Sequence, residues 1–374
     1  MNITICGDYF VSSGKSIPTI SKRISSIFEN SDMVFVNYEG PIHTNNSVKS
    51  IKTGPNLCQN EKTLKFLKEN GVNGLVLSNN HFYDYGKDGV NNTINQVLSN
   101  NLEFIGCKVN KKNKISIVNK DNLKIGILAY AEEEWCGDSE DKYSISLIDD
   151  IDISNDIKEA KAYCDGVVII LHGNNEYNNL PSPNLQKKCR FYIEQGASTI
   201  LVHHAHVISG YEVWNNYPIF YGLGNFQFTL ESKKLDWYEG LIVTLNFEKI
   251  QDSLSVNFTL LPTVMDELTY NVKLAEDEVY KQIMNQIESL NLIIRSEKSL
   301  QKHYEQFVES QRGMYYEMFN PYFNRNILYR LIGRFVFAKI MLKSDFKKMY
   351  FNTLKCESHR NAMREILKKA IFYK

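Results

Sequence analysis

At 374 residues, 43% of them apolar and 12% aromatic, the chain can bury a large core with room for a smaller second region, which excludes a disordered polymer. The 43 lysines and arginines balance 43 aspartates and glutamates, so total charge gives no argument for a polyanionic partner. The balance fails locally, because residues 321–374 carry 13 basic against 3 acidic side chains.

Short β-branched runs alternate with helix-like stretches from the start. NITIC is followed by a helix near residues 17–28, MVFVN by a helix near 60–70, and LVLS by a helix near 87–100. LEFIG, the pair ISIV and KIGILAY, VVIILH, a helix near 184–195 and TILVHH continue this α/β rhythm. VWNNYPIFYG, LIVTLNF and LSVNFTLLP then follow with only short turns, which predicts antiparallel strands in a mixed sheet or in two stacked sheets. After about residue 272 the strand signals stop and helical periodicity runs through AEDEVYKQIMNQIESLNLII to the end.

The strand-like start after Met1 shows no basic stretch, apolar run and cleavage site, so export by a signal peptide is not expected. Cysteines at 6, 58, 107, 136, 164, 189 and 356 form no C-x-x-C spacing and fit reduced thiols in a cytoplasmic protein. The most apolar tail segment, LIGRFVFAKIML, carries Arg334 and Lys339 and is too short to span a bilayer.

Unusual polar residues gather where strands end. Asp8 follows the first strand signal, Asn37 and Glu39 follow the second, Asn79, Asn80 and His81 the third, His172 a fourth, and His203, His204 and His206 a fifth. Five of the eight histidines fall in these motifs, at the sheet edge where α/β proteins bind ligands. Imidazole and carboxylate donors without clustered cysteine suit a catalytic zinc, manganese or iron centre. Each residue alone has a plainer reading: Asp8 can cap a turn, Asn79 and Asn80 suit turns, His203 supports its neighbours, and Asn225 shapes a loop. Burying all of them together without a ligand would be costly. Aromatic neighbours such as Tyr177 and Phe226 are read as packing, and His43, His303 and His359 as surface or structural.

The segments GDYF, NYEGPI, NNHFYDYG, LHGNNEY, PSPNLQ, HHAHV and YGLGNFQF, in this order over residues 3–245, resemble the poly-gamma-glutamate capsule-synthesis (CapA) family, a relative of the calcineurin-like metallophosphoesterases. The resemblance implies an α/β fold, an αββα sandwich over residues 1–270, with a helical basic region over 271–374. It makes Asp8, Glu39, Asn80, His172, His204 and His206 metal ligands, with Glu39 in the bridging position. It makes His81 the residue that contacts substrate and protonates the leaving group, with Asp84 as its carboxylate partner. Glu176 matches the family pattern without an assigned role. The sequence departs from the wider phosphoesterase pattern at Phe10, where a histidine is usual, at Glu39, where aspartate is usual, and at Phe82, where an acid is usual. The number of divalent ions, Mn, Zn or Fe, therefore stays at one or two.

The function implied is metal-dependent hydrolysis of the phosphoester type on a phosphorylated or polymeric capsule precursor, in capsule or exopolymer biosynthesis. Two alternatives stay open: an amidase on a gamma-linked polymer, and a non-catalytic polymer-binding or assembly subunit that retains the metal. The basic tail has three readings: packing on its own acidic protein, contact with an acidic polymer, or an amphipathic helix through Tyr329, Arg330, Arg334, Phe335, Phe337 and Lys339 on an anionic membrane surface. No nucleic-acid-binding module is recognisable.

Overall fold

The computed structural model describes residues 1–44, 47–52, 54–134, 142–251, 253–318, 328, 344–356, 358–360, 363, 366 and 367. The chain divides into two compact units, Met1–Lys302 and His303–Lys374. In chain order the first elements are β1 (Asn2–Phe10), α1 (Lys22–Glu29), β2 (Met33–Tyr38), α2 (Thr63–Glu69), β3 (Gly74–Val76), α3 (Gly86–Ser99) and β4 (Glu103–Ile105). There follow β5 (Cys107–Val109), β6 (Lys112–Asn113), β7 (Ser116–Lys120), β8 (Leu123–Ala131), β9 (Tyr143–Ile145), α4 (Asp150–Lys161), β10 (Gly166–His172), α5 (Pro183–Glu194) and β11 (Thr199–His203). The remainder is β12 (Tyr211–Trp214), β13 (Tyr217–Phe220), β14 (Asn225–Phe228), β15 (Glu239–Ile250), β16 (Ser253–Met265), β17 (Val272–Leu274), α6 (Asp277–Ile294), α7 (Glu297–Met318) and α8 (Ser344–Lys355).

Two sheets stack face to face. The first has the order β17-β16-β15-β1-β2-β3-β4, with β14 also paired to β1, and the second the order β12-β13-β11-β10-β8-β7. Ile5, Phe35 and Val243 from the first sheet and Ile127, Ile170 and Leu201 from the second share the core between them. Ile24, Leu64 and Ile94 pack α1, α2 and α3 on the outer face of the first sheet. Ile153 and Ile193 pack α4 and α5 on the outer face of the second. The layers run α, β, β, α, which is the αββα sandwich the resemblance implies. Buried on both faces, β10 reads GVVIILH as a continuous apolar run, as a central parallel strand should.

Local chemistry sets the element ends. Pro183 occupies the first turn of α5, where its missing N–H is not needed, and Ser182 accepts from the Leu185 N–H at 3.1 Å. The helix expected near residues 17–28 begins only at Lys22, because residues 19–21 run extended along Val272: the Val272 N–H donates to the Thr19 carbonyl and the Ser21 N–H to that of Val272. β17, a three-residue strand where strand signals fade, pairs antiparallel with the end of β16, and Ile20 bridges to Val272 on its other side. The first unit includes α6, whose Ile283 and Ile287 join the inter-sheet core.

Among the described residues no helix is long and apolar enough to cross a membrane. Six cysteines there are free thiols, at 6, 58, 107, 164, 189 and 356. The amphipathic stretch proposed from Tyr329 to Lys339 lies outside the described residues.

Candidate metal centre

Parallel strands from both sheets deliver the site, so its edge is shared between two sheets and does not belong to one. From the first sheet, β1 carries Asp8, β2 leads into Glu39, and β3 leads into Asn79, Asn80 and His81. From the second, β10 ends on His172 and β11 on His203, just before His204 and His206. A close backbone approach seats Asp8. A Cβ at Gly7 would lie 2.1 Å from the Gly224 carbonyl oxygen, so only glycine lets these two segments meet. The Asp8 N–H donates to that carbonyl at 3.0 Å, and Asp8 and Asn225 become partners in the β1–β14 register.

All six residues expected as ligands converge and are buried. Asn37 Nδ2 donates to Asp8 Oδ1 at 2.8 Å and to His172 Nδ1 at 3.2 Å. His203 Nδ1 donates to the same Asp8 oxygen at 3.1 Å. Asn80 Oδ1 accepts from His172 Nε2 at 3.1 Å, and its Nδ2 donates to Glu134 Oε2 at 3.0 Å. His204 Nδ1 lies 3.1 Å from His172 Nε2. Glu39 Oε1 sits between two imidazoles, 3.7 Å from His206 Nε2 and 3.9 Å from His81 Nε2.

Backbone strain helps to aim the histidines. His204 and His206 both have left-handed φ, +98° and +58°, and so do Asn174 and Tyr177 of the neighbouring loop, at +101° and +60°. Side chains other than glycine reach such conformations at a cost on the order of 1–3 kcal/mol each, and they concentrate at functional sites. Packing holds the His206 ring, with Phe228 and Trp237 centroids 4.9 and 5.0 Å away.

The electrostatics are those of a carboxylate–imidazole cluster removed from water. Burial pushes the Asp8 carboxyl up, but His203 and His206, whose Nδ1 atoms stand 3.1 and 3.2 Å from its two oxygens, outweigh it and hold Asp8 well below the usual range. Burial, with the nearby charge of Asp8, pushes Glu39 up to about 8. Burial opposes charge on His206, but Glu39 and Asp8 beside it raise it to about 10. Burial together with neighbouring imidazoles lowers His204 to about 3 and His172 well below its ordinary value, so both are neutral.

The donor set fits a divalent cation. Asp8, Glu39 and His172 each offer a ligand atom, and these atoms lie within 4.8 Å of one another. Asp8 Oδ2 and Glu39 Oε2 are buried and accept no hydrogen bond, and His203 Nε2 is likewise without a partner. Two orphaned carboxylate oxygens would cost several kcal/mol in a dry interior, a cost that a cation removes. Oxygen and nitrogen donors with no thiolate suit manganese, zinc or iron.

His81 and Asp84 meet as expected. His81 Nδ1 donates to Asp84 Oδ2 at 2.6 Å, and the Leu57 N–H donates to the same oxygen at 2.6 Å. Lys52, absent from the sequence reading, pairs with Asp84 Oδ1 and brings its ammonium within 3.1 Å of His81 Nδ1. Its side chain is almost fully buried. Asn225, read as a loop former, lies instead in β14 and bonds to His206. His203 supports Asp8, in keeping with its plainer reading. His43 packs away from the cluster, its Nδ1 3.0 Å from Cys58 Sγ.

A family model described as the bacterial capsule synthesis protein PGA_cap matches residues 3–229. The chain belongs to this family. Among curated relatives, this PGA_cap chain is 32% identical over 219 residues to the capsule biosynthesis protein CapA of Bacillus anthracis, covering 56% of this chain and 53% of that one. It is 31% identical over 223 residues to the PGA biosynthesis protein CapA of Bacillus subtilis (strain 168), covering 58% and 59%. The chain thus matches little more than half the length of these relatives. Among solved structures, the calcineurin-like phosphoesterase YfkN of Bacillus subtilis aligns with a TM-score of 0.43 at 13% identity, over 79% of this chain and 99% of that one. The sulfate thiohydrolase SoxB of Thermus thermophilus aligns at 0.44 and 13%, over 78% and 61%.

Proposed function

We propose that the chain is a metal-dependent hydrolase of the phosphoester type that acts on a phosphorylated or polymeric precursor in capsule or exopolymer biosynthesis. The observation that carries this reading is the buried convergence of Asp8, Glu39, Asn80, His172, His204 and His206 around two carboxylate oxygens that accept no hydrogen bond, with the His81–Asp84 pair at its margin. The place in capsule synthesis rests on family membership and on the names of the two Bacillus relatives.

Asp8, Glu39 and His206 would hold one cation, and Asn80, His172 and His204, with Glu39 between the groups, would hold a second. A divalent ion there supplies Lewis acidity toward a phosphoryl oxygen and acidifies water. The chain's own residues do the rest. Asn37 and His203 hold Asp8 Oδ1 and leave Oδ2 facing the site. Asp84 accepts the His81 Nδ1–H and turns Nε2 toward Glu39 and the site; a second proton, taken up from solvent on Nε2, is the one this ring would pass to a leaving-group oxygen. The apolar wall of Phe228 and Trp237 excludes water from one side of His206.

The test is hydrolysis of generic phosphomonoesters and phosphodiesters with added manganese or zinc, comparing wild type with Asp8→Ala. Manganese-dependent turnover that the substitution abolishes supports the reading. Silence in both proteins despite bound metal favours amide cleavage or a binding role.

A further inference from the structure

The His206 imidazole has two nitrogens, and the surrounding hydrogen bonds decide which one faces the site. Asn225 Nδ2 donates to the Trp237 carbonyl at 3.0 Å. A carbonyl only accepts, so the orientation of the amide is settled and its Oδ1 must point the other way, to His206 Nδ1 at 3.0 Å. An amide oxygen also only accepts, so Nδ1 carries a proton, and the position a cation can take is Nε2. Asp8 Oδ2 lies 3.2 Å from the same nitrogen yet accepts no hydrogen bond, which leaves that oxygen uncommitted. The opposite nitrogen, Nε2, is 3.7 Å from Glu39 Oε1.

We propose that Asn225 is a positioning residue: by taking the His206 Nδ1–H it presents Nε2 to a cation and keeps Asp8 Oδ2 free for the same cation. The inference rests on the metal reading of the site. The fold supports it, since Asp8 and Asn225 are register partners on adjacent strands and are joined at the Gly7–Gly224 approach. One side chain thereby coordinates two ligands that come from different sheets. Without its oxygen, the nearest acceptor for Nδ1–H is Asp8 Oδ2, and one ligand atom would be spent on holding another. Outer-shell partners of this kind typically contribute about 10–100-fold in metal affinity.

The experiment uses the full chain with isotope-labelled histidine, loaded with zinc, as wild type, Asn225→Leu and Asn225→Asp. Long-range proton–nitrogen correlation spectra report which His206 nitrogen carries a proton and which binds zinc, and competition titration reports affinity. The expected result is zinc on Nε2 and a hydrogen-bonded Nδ1–H in wild type. Asn225→Leu should lose that hydrogen-bonded signal and weaken zinc binding by about 10–100-fold, and Asn225→Asp, which restores an acceptor, should regain the signal. Zinc on Nδ1 in wild type, or an unchanged signal and affinity in Asn225→Leu, overturns the proposal. If the leucine variant does not fold, zinc on Nδ1 in the aspartate variant overturns it and zinc on Nε2 sustains it. A wild type that takes up no zinc defeats the metal reading instead. The Asn225 contact is then judged by whether the metal-free Nδ1–H is hydrogen-bonded.

Discussion

His81 Nδ1 donates to Asp84 Oδ2 across 2.6 Å, and Lys52 reaches the other oxygen of that carboxylate from a separate loop. The carboxylate is held from three sides, since the Leu57 N–H also donates to it. An imidazole fixed in this way keeps one orientation, with Nδ1–H held by Asp84 and Nε2 turned to the site, where a second proton would be the one a general acid gives up. His81→Ala should therefore retain bound metal and lose turnover by about 100-fold or more on substrates with poor leaving groups. Equal activity would remove the acid role.

Lys52→Met should leave metal content intact while loosening Asp84 and His81, so kcat should fall and KM should stay close to wild type. Lys52→Arg, which keeps the charge, should recover part of the loss. A change confined to KM would instead make Lys52 a substrate contact.

The i,i+3 spacing made His81 and Asp84 legible in the sequence, because a turn brings such residues together. Lys52 was not legible, since it comes from an irregular loop 29 residues before His81 and no periodicity ties the two. The parallel strands read correctly because β1, β2, β10 and β11 are buried apolar runs that end on polar residues. The pattern suggests one sheet edge where the structure has two, because both sheets use the same buried pattern. The four-residue β14 was missed: glycines flank its start, and a single pairing with the end of β1 defines it. Asn225 was misread with it.

Metal content should follow the ligands. Asp8→Ala and His206→Ala should each lower the manganese or zinc retained per chain after dialysis, measured by elemental analysis. His203→Ala, which removes a donor to Asp8 and no expected ligand, should weaken retention less. Unchanged stoichiometry in the first two variants would contradict the assignment.

Acid and base should destabilise the metal-free protein for different reasons. Burial lowers His204 to about 3 and His172 well below its ordinary value, so below about pH 6.5 the unfolded chain binds more protons and stability falls as pH drops. Burial raises Glu39 to about 8, and the two carboxylates hold His206 at about 10 against burial. From about pH 6.5 upward the folded state therefore binds more protons, and stability falls as pH rises. Urea denaturation with a chelator present should show a maximum near pH ~6.5. Manganese should raise the basic limb most, because it replaces the protons on Glu39 and His206. A steady gain in stability from pH ~6.5 to ~8.5 without metal would contradict this.

The basic tail gives a separate expectation. If it docks on membranes, deleting residues 321–374, with their 13 basic and 3 acidic side chains, should weaken binding to anionic vesicles and make what remains insensitive to salt. Unchanged partitioning would favour packing within the protein.

The most direct test of the metal centre is a crystal grown with manganese and measured near the manganese absorption edge. The account predicts an anomalous peak bounded by Asp8 Oδ2, Glu39 and His206 Nε2, with any second peak beside Asn80, His172 and His204. A well-ordered site with no anomalous peak, in protein that still hydrolyses a phosphoester, would contradict it.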